Sequence, residues 1–297
     1  RWLALPLLLG AATRLWGLGG GQVQGDEAYA MMLAKGVLHG QEEILLVHMK
    51  GPVEALLPAG VLALTGTIAE MTARLPFTLA SLALILGVWS LAGRMFGGRL
   101  GNLAGFAAAM GVAVDGLLVA FGRILQYQAV VMLLSAAALW LCWRFYEGAA
   151  ARRTLLAAAF CAAVALLAHY DGMYVMPALA WLVLAGGRRR GWGPRQWAGA
   201  LAPPLALGLL LTLSFYLPFV LHEHFGRTLR HLATRSGQGG AGFVLYNNLP
   251  GYGALLSVYA SRYVVAAAAL ALLAALAAML ARYLLPAALG LGMAALL

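Results

Sequence analysis

Gly25-Asp26-Glu27-Ala28-Tyr29 sets two adjacent carboxylates just beyond the first hydrophobic stretch of the chain. A charge at bilayer depth costs roughly 2.5–3.5 kcal/mol on insertion scales, so acids at such a boundary either face water or are put to use. A carboxylate there can take a proton from a hydroxyl, and a nearby cation can hold an anionic leaving group. Asp26 or Glu27 is the candidate base. Lys50, Arg74 and Arg123 are the candidate cations, and His48, Gln128 and Tyr29 are further polar groups able to contact a substrate.

Each of these residues also has a plainer reading. Asp and Glu favour the first turn of a helix, where they cap exposed amides. Lys50 could snorkel from an apolar surface to water. Arg74 stands four residues after Glu70, the spacing of a helical ion pair. His169-Tyr170-Asp171-Gly172 marks a tight turn in which Asp171 caps the next helix. His222-Glu223-His224 with His231 lacks a recognised metal-ligand spacing, so no metal site is assigned.

The elements that must position these groups belong to a membrane. Of 297 residues, 63% are hydrophobic and only 10% charged, against about 25% charged in soluble domains. No water-soluble core absorbs that much apolar surface, so the bilayer is the solvent. The net charge of +10 does not indicate nucleic acid, because the basic residues are scattered between apolar spans with no aromatic-interleaved basic face. Cys142 and Cys161 fall inside apolar spans and read as small packing residues. The chain starts at Arg1 and stops within an apolar run, which reads as a piece of a longer membrane protein. The whole is expected to form one all-α domain.

Apolar stretches at 1–18, 74–93, 101–121, 128–146, 154–169, 172–186, 197–221 and 262–282 approach the 17–25 residues of a crossing helix, and a ninth begins at Leu284. The expected architecture is thus a polytopic helix bundle of eight to nine spans. Alternate connections carry Arg94 and Arg99, then Arg144, Arg152 and Arg153, then Arg188, Arg189, Arg190 and Arg195. By the positive-inside rule that set is cytoplasmic, which puts residues 19–73 and 222–261 outside. Both lysines and six of the ten acids then fall in the first outer loop, and all six histidines lie on the outer side.

The first outer loop has structure of its own. Residues 52–66 are apolar but short and broken by Pro58. If they crossed, every later arginine cluster would change side. They read instead as a helix lying in the membrane interface, as does 28–38. Together the two make a shelf suited to a substrate with a lipid tail and a polar head. Residues 222–261 combine Arg227, Arg230 and Arg235 with Gly237-Gln238-Gly239-Gly240, a composition suited to a lid.

These motifs, in this order, resemble the GT-C superfamily of polytopic glycosyltransferases (glycosyltransferase family 39-like). The similarity is to the protein O-mannosyltransferase and lipid A aminoarabinose transferase types. Asp26-Glu27-Ala28-Tyr29 opens a long first outer loop. His48-Met49-Lys50-Gly51-Pro52 resembles the family's Lys-Pro-Pro segment, Ala73-Arg74-Leu75-Pro76 its Ala-Arg-Leu-Pro entry to span two, and Gly93-Arg94-Met95-Phe96-Gly97 its Gly-Arg-Leu-Phe-Gly exit. The resemblance runs over roughly the first 190 residues. It departs at Gly51, where the family has Pro, and at Gln128, where the family has an acid.

The resemblance implies inverting transfer of a sugar from a polyprenyl-phosphate donor to a glycan, lipid or protein acceptor at the outer face of the plasma (inner) membrane. Asp26 would be the base, with Glu27 a supporting or structural acid, and cations would hold the departing lipid phosphate. Membrane lipid is an expected partner and nucleic acid is not; a divalent cation, Mg or Mn, is an optional cofactor. The alternatives are a non-catalytic subunit of a membrane glycosylation complex and a lipid-linked solute transporter or flippase. Transport predicts charges near the bilayer midplane, and here the charges gather at one face.

Overall fold

The computed structural model describes residues 2–230, except 42, 49 and 68, and scattered positions between 263 and 273. The expected spans at 262–282 and from Leu284, and the lid segment with His231 and Arg235, lie outside the described residues. The chain divides into two compact units, Arg1–Val114 with Leu118–Tyr246 and Asp115–Leu117 with Asn247–Leu297. Asp26, Glu27, Lys50, Arg74, Arg123 and Gln128 all belong to the first.

The described residues are all-helical. The helices are α1 (Ala4–Leu15), α2 (Gly25–Leu38), α3 (Ile44–Val47), α4 (Val53–Thr65), α5 (Glu70–Phe96), α6 (Gly98–Val114), α7 (Gly116–Phe121), α8 (Gln128–Tyr146), α9 (Ala151–Ala168), α10 (Met176–Arg189) and α11 (Pro194–Leu221), with a 3-10 turn at Tyr170–Val175 before α10. Among them α5, α8, α9 and α11 are long and apolar enough to cross a membrane. The protein is an integral membrane protein of helical-bundle type.

Three expected spans are shortened or interrupted relative to the sequence reading. α1 has 12 residues, about 18 Å at 1.5 Å per residue against a hydrocarbon core of about 30 Å. It ends where Gly17, at φ 62°, turns the chain and where Arg123 donates to the carbonyls of Thr13, Arg14, Trp16 and Gly17. The 101–121 stretch is split between α6 and α7 at Asp115. The 172–186 stretch begins as 3-10 because the His169 ring nitrogen accepts the Asp171 amide and caps a tight turn. Hydropathy alone does not register such turns.

Small residues bring the helices close. A Cβ on Gly101 of α6 would stand 2.2 Å from the Gly93 carbonyl oxygen of α5, so the two backbones touch, as small residues permit between helices in lipid. α5 and α8 run in the same direction, as the Arg94–Glu147 pair at their ends shows, and α9 runs back the other way. One end of the bundle gathers Arg94, Arg144 and Arg190. There Arg94 pairs with Glu147 at 2.9 Å, and Arg190 donates to the carbonyls of Phe145 and Ala149. The other end gathers the start of α5, the start of α8 and the end of α9. Ala30, Phe77, Leu125, Val130, Val131 and Ala168 form an apolar floor beneath it.

The two segments read as interfacial helices are helical, as α2 and α4. α2 begins with Gln24 as N-cap, and its amide donates to Glu27 in the first turn at 3.0 Å. α4 starts at Pro52, tolerates Pro58 and stops at Gly66, whose φ of 69° is left-handed.

Candidate active site

Asp26 and Glu27 occupy successive positions in the first turn of α2. Successive helical side chains diverge by about 100°, and here they take opposite fates. The Glu27 side chain is 0% exposed, and that of Asp26 is 63% exposed.

Glu27 is locked. Arg74 of α5 grips it with two bonds, Nε to Oε1 at 2.7 Å and Nη2 to Oε2 at 2.8 Å. The Leu125 amide donates to Oε1 at 2.9 Å. Burial alone would raise the Glu27 carboxyl, but the Arg74 fork and the amides of Leu125 and Gln24 outweigh it and hold the group below the usual carboxylate range. The remaining Arg74 donors go to the carbonyls of Leu18, Gly21 and Gln22. Sequence spacing offers Glu70 as the partner of Arg74, whereas the carboxylate that holds it is Glu27. This buried pair ties α2, α5 and the segment before α8 into one frame.

Asp26 stands on that frame facing outward. The Lys50 Nζ lies 3.5 Å from Asp26 Oδ2, and Gln126 Nε2 donates to the same oxygen at 3.2 Å. Lys50 also lies 3.3 Å from Glu54 Oε2 and 5.4 Å from the centre of the Tyr127 ring. Glu54, in the first turn of α4, is buried and sits 3.0 Å from His48 Nε2. The Tyr29 and His48 rings are 5.5 Å apart. Tyr127 stacks on His169 with centroids 3.7 Å apart, and the other face of the cluster is Asp171, 3.1 Å from His169 Nδ1. Burial first, and then the Asp171 carboxylate, raise the Tyr127 phenol, which therefore stays protonated.

Gly51 is what lets Lys50 arrive here. A Cβ on it would stand 1.9 Å from the Leu167 carbonyl oxygen near the end of α9. That close backbone approach accounts for glycine where the resembling pattern has proline.

Of the residues singled out by sequence, Asp26, Lys50, His48 and Tyr29 come together around one opening. Glu27 and Arg74 lie directly beneath it, engaged with each other. Arg123 sits apart, with its donors on the end of α1. Gln128 is at the start of α8, and its Oε1 is buried without a hydrogen-bond partner among the described residues. Glu54, Gln126 and Tyr127 join the cluster, although sequence reasoning does not select them. The spacing of Lys50 and Glu54, four residues apart beside a helix start, is the available signal for the first. Gln126 and Tyr127 belong to the Arg123–Gln128 stretch, but nothing local selects Gln126 over Gln128. Among the described residues no group of three or more His, Cys, Asp or Glu is placed to hold a metal ion.

Below the cluster lies a cavity of about 530 Å³ between α8, α9, α10 and α11. It extends along α9 from Leu155 to Leu166 and is closed by Met176, Leu179 and Leu205 among others. Its lining includes Leu166, three residues before His169, and none of the side chains of the polar cluster.

The family model of dolichyl-phosphate-mannose-protein mannosyltransferase matches residues 49–222. The chain belongs to that family. It is a membrane glycosyltransferase of the GT-C type. The matched residues carry Lys50, Glu54, the Gln126-Tyr127 pair and the His169-Asp171 turn, while Asp26 and Glu27 precede them. No curated protein and no solved structure matches the chain.

Proposed function

We propose that the protein is an inverting glycosyltransferase that moves a sugar from a polyprenyl-phosphate donor to a hydroxyl acceptor at the extracytoplasmic face. The observation that carries this reading is the division of labour between adjacent acids. Glu27 is buried and neutralised by Arg74, while Asp26 is exposed beside an ammonium group.

The chemistry follows from that arrangement. Asp26 takes the proton of the acceptor hydroxyl as its oxygen attacks the anomeric carbon. The carbon–oxygen bond to the acceptor forms while the bond to the phosphate oxygen breaks, and its electron pair leaves with the lipid phosphate. Attack from the face opposite the leaving group inverts the anomeric centre. Negative charge grows on the phosphate as the bond lengthens, so a cation held there stabilises the transition state more than the ground state. Lys50 is that cation. Gln126 orients the Asp26 carboxylate, and the Tyr127 face beside Lys50 offers a surface for a sugar ring.

The cavity beside α9 takes the first isoprene units of the donor, and the arginine-rich end of the bundle faces the cytoplasm. Gly208 lines the cavity, and a Cβ there meets nothing within 4 Å. Gly208→Phe therefore fills the space without a collision. In the reconstituted protein it is expected to raise the KM for a long-chain polyprenyl-phosphate sugar about tenfold, which corresponds to about 1.4 kcal/mol of lost contact. A two-isoprene donor that does not extend down the cavity keeps its wild-type KM. Equal kinetics for both donors in the variant, changed or unchanged, removes the cavity from the reading.

A further inference from the structure

Two ion pairs stand side by side at this site and differ in kind. Arg74 holds Glu27 by two short, parallel bonds of 2.7 and 2.8 Å. Lys50 lies at 3.5 Å from Asp26 and at 3.4 and 3.3 Å from the two oxygens of Glu54. All three distances exceed those of a well-formed N–H···O bond. The ammonium is thus shared between two carboxylates and committed to neither. The carboxylates differ too: the Glu54 side chain is 1% exposed and already engaged by His48, and that of Asp26 is 63% exposed. An anion arriving from the open side meets Lys50 on its Asp26 flank and cannot reach its Glu54 flank.

We propose that Glu54 is a positioning residue: it anchors Lys50 beside Asp26 so that the donor phosphate can draw the ammonium off Asp26, which frees that carboxylate to accept the acceptor's proton. The inference rests on the reading of Asp26 and Lys50 given above. Without donor, Asp26 is neutralised by Lys50 and held by Gln126. With donor, Lys50 turns to the phosphate while Glu54 keeps its stem in place. Base and donor become coupled, and the base is unmasked only when there is a sugar to transfer. His48, at 3.0 Å from Glu54 Oε2, fixes the carboxylate while Lys50 stays within 3.4 Å of both of its oxygens.

A double-mutant cycle on the full chain in proteoliposomes tests this, with kcat/KM for a polyprenyl-phosphate sugar as the readout. Lys50→Met should lower kcat/KM by about 10²-fold, the scale of one lost oxyanion donor. Glu54→Gln should lower it about tenfold, mostly through donor KM. The double variant should be no worse than Lys50→Met alone, because Glu54 acts through Lys50. Losses that multiply in the double variant, or a Glu54→Gln enzyme with wild-type kinetics, overturn the proposal and leave the role of Lys50 intact. An unimpaired Lys50→Met overturns the underlying reading as well. Thermal midpoints are recorded alongside. If Glu54→Gln lowers the midpoint, Glu54→Asp takes its place in the cycle. It keeps the charge, should fall between wild type and Glu54→Gln in kcat/KM, and should lose its effect in the Lys50→Met background. An effect that persists there again overturns the proposal.

Discussion

Asp26→Asn is expected to lower kcat for sugar transfer by 10²–10⁴-fold, the usual contribution of a positioned general base, with donor binding within a few-fold of wild type. Asparagine keeps the shape of the side chain and an oxygen for Gln126, which lies 3.2 Å away, so the site stays assembled. What it removes is the ability to take a proton. Glu27 cannot substitute, although it is the neighbouring residue. It is fully buried, its oxygens are committed to Arg74 and two amides, and it points into the frame rather than the opening. The same reasoning makes Glu54 an unsuitable replacement. Initial rates of lipid-linked sugar consumption in the two proteins check this. A variant that keeps a tenth or more of the wild-type rate would place the base elsewhere.

Glu27→Gln is expected to act on stability. Removing one partner from a buried ion pair leaves the other uncompensated and costs about 3–5 kcal/mol. Here the stranded group would be the Arg74 guanidinium, 3% exposed at the start of α5. Thermal unfolding in detergent, followed by helical circular dichroism, should show a clear drop in midpoint, and transfer activity should fall with it because Leu125 and Gln126 share the frame. The pair also has a pH signature. The carboxyl is held below its ordinary value of about 4.5 in the folded protein. Its stabilisation is therefore fully present above that pH and is lost as pH falls below it towards the lowered folded value. Wild type should lose stability through that acidic window, and Glu27→Gln should lack this part of the loss. A variant with the wild-type midpoint and the wild-type acid profile would show that the pair contributes nothing to the fold.

Much of the bundle is legible in the sequence because long apolar runs have few alternatives in a membrane. The stretches 128–146 and 197–221 form α8 and most of α11, and the broken run 52–66 forms α4, which Pro58 does not interrupt. What hydropathy cannot locate are interruptions caused by contacts distant in sequence, such as the end of α1, which Arg123 caps from more than 100 residues away. The cluster around Asp26 is half visible. The acid pair and Lys50 stand out by type and place, but the inward turn of Glu27 depends on Arg74, 47 residues later. Choosing Gln126 over Gln128 depends on how α2 meets the start of α8, and this too has no local signature. Gly51 reads in the sequence as a departure from a pattern, and its reason is plain only with Leu167 beside it.

Transfer of a phosphate-linked sugar with inversion at the Asp26–Lys50 site is open to a direct test by product analysis. The protein is reconstituted in vesicles with a polyprenyl-phosphate sugar of defined anomeric configuration and a panel of hydroxyl acceptors. Free polyprenyl phosphate and the anomeric configuration of the new glycoside are then measured. One polyprenyl phosphate should be released per sugar transferred, with the opposite anomeric configuration in the product, and both should be lost in Asp26→Asn. A product with retained configuration, or transfer that persists in Asp26→Asn, would contradict inverting transfer at this site.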